Sequence, residues 1–98
     1  MNSSIAIQIL PGVQETAEVV RIVDAVIEYI RGTGLTYSVG AFETTVEGEL
    51  DELMAIAKEA QLIAIREGAP SVSMYLKSVY RPEGGVLTID EKISKHNR

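Results

Sequence analysis

Ninety-eight residues, 46% apolar and 23% charged, read as one folded domain, residues 1-98, with a single two-layer core, and exclude a disordered chain. A net charge of −5 and the lack of any dense basic stretch with interleaved aromatics exclude nucleic acid as the expected partner. Cysteine is absent, so disulfides and thiolate metal sites are excluded too.

The first four residues, Met1-Asn2-Ser3-Ser4, carry no basic leader region. The apolar run at 5–11 is too short for a signal or a membrane span, which makes the cytoplasm the expected compartment and a membrane role unexpected. Residues 4–10 predict the first strand, with Ile5, Ile7 and Ile9 on one face and Ala6, Gln8 and Leu10 on the other. Pro11-Gly12 ends it. Residues 15–31 predict a helix whose apolar stripe is Val19, Ile22, Val23, Val26 and Ile30. Glu18, Arg21, Ala25 and Glu28 form its wet face, and Gly32 and Gly34 supply a left-handed stop.

Residues 36–39 predict a second strand, turned by Gly40-Ala41 into a third. In that third strand Phe42, Thr44 and Val46 alternate with Glu43, Thr45 and Glu47. At Gly48 the period changes, and Leu50, Leu53, Ile56, Ala57 and Ala60 recur at helical spacing through residue 67. Glu49, Asp51 and Glu52 favour the positive end of this helix, so the Glu47-Gly48 junction is a candidate binding point. Gly68-Ala69-Pro70 closes the helix, and 71–79 predict a fourth strand. Beyond the loop 81–85, Thr88-Ile89-Asp90-Glu91 matches a capping box, opening a short helix expected to reach Asn97.

The order β-α-β-β-α-β plus a tail helix is the split βαβ, ferredoxin-like pattern: an α+β sandwich with a four-stranded antiparallel sheet and both helices on one face. Right-handed crossovers put the first and third strands in the middle and leave no helix for the other face. That bare face would carry Leu10, Tyr75 and Val79 among polar neighbours. Such a surface suits pairing with a second copy of the chain.

Catalytic constellations are poor. His96 belongs to the tail, and no nucleophile motif, phosphate loop or metal-ligand spacing is present, so no enzyme, catalytic residue, metal or cofactor is expected. Glu43 and Glu47 share a face and are more readily solvated, or neutralised by Lys77, than used as an acid–base pair. Thr44 stands between Phe42 and Val46 on the helix-facing side, where a hydroxyl needs a partner: either nearby backbone or a ligand in a pocket between sheet and helices. Tyr37 offers an aromatic wall for a flat ring or ordinary strand packing, and Arg81 an anion contact or a solvated loop residue.

The hairpin from Tyr37 through Thr44-Thr45-Val46-Glu47-Gly48-Glu49-Leu50-Asp51-Glu52 resembles that of the small thiamine-binding proteins with a ferredoxin-like fold. Tyr37, Thr44, Val46, Glu47, Gly48, Leu50, Asp51 and Glu52 match the family pattern, and Lys77 and the segment 68–72 also look like it. The chain departs from it at Gln8, Glu43 and Val79-Tyr80-Arg81-Pro82. The resemblance implies a non-enzymatic carrier, buffer or sensor of thiamine or its hydroxymethylpyrimidine portion. It implies ligand contacts from Thr44, Glu47, Tyr37, Thr45, Gln8 and Lys77, with Glu47 offsetting the thiazolium charge. It also implies a homo-oligomer, a dimer of dimers built through sheet faces. The rival expectation is a structural or regulatory oligomer with no small ligand, presenting the 81–86 loop and the tail helix to a protein. An acylphosphatase of the same fold ranks third, since its phosphate loop is absent.

Overall fold

The computed structural model describes residues 1–96. Its elements are β1 (Ser3–Pro11), α1 (Thr16–Gly32), β2 (Tyr37–Val39), β3 (Thr44–Gly48), α2 (Leu50–Arg66), β4 (Val72–Tyr80) and α3 (Ile89–Ile93). The strands form one antiparallel sheet in the order β2-β3-β1-β4, which puts β3 and β1 in the middle as the sequence pattern predicts. The fold is α+β and ferredoxin-like.

Strand alternation decides which side of the sheet is dry. Ile5, Ile7 and Ile9 all point at the helices and are buried with Val46, Val26, Ile30, Leu53, Ile56 and Ala60. These β-branched side chains fit a pleated, covered surface well. Helix α1 buries Ile22, Val26 and Ile30, spaced by four, and α2 buries Leu53, Ile56, Ala57, Ala60, Ile63 and Ala64. Ala25, expected on the wet face of α1, is half-buried and packs on the core. A helix laid against both a sheet and a second helix covers more than its central stripe. On the outside, Arg21 donates to Glu18 at 2.6 Å, to the Glu67 carboxylate at 2.8 Å and to the Glu67 carbonyl at 2.6 Å, tying α1 to the end of α2.

Three local expectations are corrected. The β2–β3 connection is a four-residue loop, residues 40–43, closed by the Gly40 N–H donating to the Glu43 carbonyl at 2.9 Å. Strand β3 therefore begins at Thr44, and Phe42 leaves the pleat; it is 81% exposed instead of facing the helices. The open sheet face is also not bare. Helix α3 lies across one end of it, because the Ile89 side chain is buried there and the Ile89 N–H donates to Glu47 Oε2 at 2.8 Å. The chain reaches that face through a loop with left-handed Gly84 and Gly85; at Gly85 a side chain would also meet the Met1 carbonyl at 2.9 Å. The capping box is as expected: Thr88 Oγ1 accepts from the Glu91 N–H, and Glu91 Oε1 from the Thr88 N–H. The helix stops at Ile93, capped by Ser94, short of the expected end; Asn97 lies outside the described residues. Among the described residues no helix is long and apolar enough to cross a membrane.

Candidate ligand site

The strands are of unequal length, and this opens a cavity. Strand β1 pairs with β4 from Ser3 to Pro11, but with β3 only from Ser3 to Ile7, where Thr44 is opposite. Beyond Ile7 the β3 side of β1 is vacant, and the 40–43 loop swings wide of it. Between that vacated edge and α1 lies a cavity of about 180 Å³. Val23, Val26 and Ile27 of α1 form one wall, Val39 and Ile7 the sheet side, and Phe42 the rim.

The polar groups of the cavity follow from the ladder. The Glu47 N–H donates to the Thr36 carbonyl at 3.1 Å, so the backbone of Glu47 faces β2. By alternation the backbones of Val46 and Thr44 face β1, and those of Ile5, Ile7 and Ile9 face β3. Since β3 ends at Thr44, the N–H and C=O of Ile9 face the vacated space, a donor and an acceptor side by side. Thr44, whose side chain is buried, adds a hydroxyl to the same cavity, and Gln8 and Glu43 complete its lining. An apolar slot with a few convergent polar groups is the usual form of a small-molecule site.

The residues singled out in the sequence divide between the two faces of the sheet. Thr44 lines this cavity, and Gln8 borders it from the edge of β1, its side chain standing by alternation on the open face with Ala6. Tyr37 is half-buried and packs on the core cluster, opposite Val46. Thr45 and Lys77 line a different and larger cavity, about 330 Å³, on the open face under α3. Glu47 is buried at the edge of that face with its carboxylate on the Ile89 N–H. Glu43 borders the Thr44 cavity, but its carboxylate is held at 2.8 Å by Lys77, which stands on the open face. The Glu47-Gly48 junction is closed. Gly48 is buried against Leu35 and Leu53, and the Leu50 N–H at the start of α2 is taken by Asn2 Oδ1 at 3.0 Å. Sequence reasoning missed Ile9 and Phe42. The vacated edge exposing the first depends on where pairing stops, and the position of the second on the loop length. No cluster of three or more metal-ligating side chains occurs among the described residues.

A family model described as "Thiamine-binding protein" matches residues 5–97. The chain belongs to the thiamine-binding protein family. A UPF0045 protein of Clostridium perfringens is 45% identical over 93 residues, 95% of each chain. Among solved structures, a domain of unknown function from Bacillus cereus aligns with TM-score 0.86 at 41% identity, covering 98% of this chain and 90% of its own. A Thermotoga maritima protein assigned provisionally to thiamine biosynthesis or salvage aligns with TM-score 0.84 at 35% identity, covering 97% and 98%. The family match takes in both the Thr44 strand and the isoleucine strand that together frame the smaller cavity.

Proposed function

We propose that this protein binds thiamine, or its hydroxymethylpyrimidine portion, in the cavity between α1 and the vacated edge of β1, and catalyses no reaction on it. The observation that carries the reading is the meeting of the Thr44 hydroxyl with the Ile9 backbone donor and acceptor in an apolar slot, within a chain of the thiamine-binding family. An aminopyrimidine ring presents donors and acceptors along one edge and two flat apolar faces. The ring edge bonds to Ile9 and Thr44, the faces lie against Val26 and Val39, and Phe42 covers the mouth. At about 180 Å³ the slot suits the pyrimidine better than the whole vitamin. The thiazolium would extend past the rim beside Glu43, whose carboxylate is paired with Lys77 at 2.8 Å. Tyr37 supports the slot from the core. Thr45, Glu47 and Lys77, on the other face, contribute nothing to it directly.

In this reading the protein is a cytoplasmic carrier, buffer or sensor. It works as a homo-oligomer, a dimer of dimers joined through the part of the open face that α3 leaves uncovered, where Leu10 and Tyr75 are exposed beside Gln8.

Isothermal titration of protein freed of carried-over ligand, with thiamine and then hydroxymethylpyrimidine, tests the reading. Saturable binding near one ligand per chain is expected. Thr44→Val keeps the shape and removes the hydroxyl, and should weaken binding by about 1–2 kcal/mol with melting nearly unchanged. No heat with either ligand, from folded protein, overturns the proposal. Binding with unchanged affinity in the Thr44 variant removes this slot as its location.

A further inference from the structure

We propose that the cavity beneath α3 is a second ligand site, distinct from the pyrimidine slot, for a small molecule with an oxyanion head and an apolar body. The sheet register builds its floor as one row. Ser38 is opposite Thr45, Thr45 opposite Ala6, and Ala6 opposite Lys77, so all four side chains stand on the open face side by side. Ala6 in the middle of the row is the small residue that leaves room. Helix α3 closes the space from above with Lys92 and Ile93, and the cavity measures about 330 Å³.

The charge in this cavity is opposite to that of the chain. The protein carries a net −5, yet the charged side chains lining the cavity are Lys77 from the floor and Lys92 from the roof. The two nearby carboxylates are already engaged. Glu47 accepts the Ile89 N–H at 2.8 Å, and Glu43 holds Lys77 at 2.8 Å. An ammonium has three donors, so Lys77 keeps donors for a second acceptor. Among the described residues Lys92 takes part in no ion pair.

The dimensions shape the ligand further. Neighbouring strands are about 4.8 Å apart, so along the row Thr45 lies roughly 10 Å and Ser38 roughly 14 Å from the backbone of Lys77. A bare ion cannot touch both ends of the row. A molecule with its oxyanion at Lys77 and Lys92, its body over Ala6 and against Val79 and Ile93, and a polar group at the hydroxyl pair fills it. Since α3 is the roof, a bound ligand would also hold that helix down.

The test is an amide-resonance titration of the full chain at fixed ionic strength with phenyl phosphate, inorganic phosphate and benzoate. Phenyl phosphate is expected to give saturable shifts centred on Ala6, Thr45, Lys77 and Ile93, at least fivefold tighter than inorganic phosphate. It should also raise the exchange protection of the Glu91 and Lys92 amides. Benzoate distinguishes the head group: saturation at the same residues, tighter than phenyl phosphate, identifies a carboxylate rather than a phosphate. The double variant Lys77→Gln, Lys92→Gln, altering exposed side chains, should keep the fold and weaken binding at least tenfold, while Thr44→Val leaves it unchanged. The proposal is overturned if none of the three probes saturates, if the shifts spread over Lys58 and Arg66 as well, or if the double variant binds as tightly as the parent.

Discussion

Glu47→Ala should release α3 from the sheet without unfolding the domain. The carboxylate of Glu47 is buried, accepts the Ile89 N–H at 2.8 Å, and joins positions 42 residues apart. A hydrogen bond to a charged group contributes about 1.5–3 kcal/mol net, and its loss leaves the Ile89 N–H without a partner. At about 1.4 kcal/mol per tenfold, the docked-to-undocked ratio of α3 should fall about 10- to 150-fold. Burial of the Ile89 side chain, about 1.5–3 kcal/mol, still favours docking, so the helix opens more often rather than permanently. Native-state hydrogen exchange reads this directly. Protection at Glu91, Lys92 and Ser94 should drop by one to two orders of magnitude, while Ile5, Ile7 and Val46 in the sheet change less than twofold. Glu47→Gln retains a carbonyl acceptor and should recover much of the loss. Equal loss at α3 and in the central strands would refute the reasoning, because Glu47 would then stabilise the whole domain. Unchanged protection at α3 would refute it from the other side.

The core, the rim, the pH response and the assembly give further predictions. Ile30→Ala removes a fully buried side chain and should cost about 2–5 kcal/mol in chemical denaturation. Phe42→Ala, at a residue 81% exposed, should change stability by less than about 0.5 kcal/mol yet weaken pyrimidine binding in calorimetry. The Glu91 carboxyl is held below the ordinary glutamate range, first by the Thr88 N–H and then by the Thr88 hydroxyl. Its folded value is thus the lower one. The capping contribution is present above the ordinary range and is lost as pH falls through the depressed value. Exchange protection of the Lys92 amide should fall on such acidification, and Glu91→Gln should lose that part of the pH dependence. Tyr75→Glu, on the exposed half of the open face, should lower the sedimentation mass of the proposed oligomer while leaving the monomer fold intact.

Much of the architecture was legible because it depends on local period. The alternation of Ile5, Ile7 and Ile9 and the four-residue spacing of Ile22, Val26 and Ile30 each define one buried face, whatever lies opposite. The capping box at Thr88 and Glu91 is local too, and it formed as its spacing predicts. Thr44 could be placed between sheet and helices from alternation alone, and it lines a cavity there. The geometry of the candidate site depended instead on register and on contacts between distant segments. The end of β3 pairing at Ile7 opened the slot and freed the backbone of Ile9, and no period in the sequence marks that end. The extra loop residues sent Phe42 outward. The bond from the Ile89 N–H to the buried Glu47 carboxylate, which anchors α3, joins residues 42 positions apart, and no local period announces it. Composition and local period decide which side chains must be dry and which elements form. Only the tertiary structure decides which polar groups those elements leave facing a common space, because that is a property of chain segments brought together from far apart.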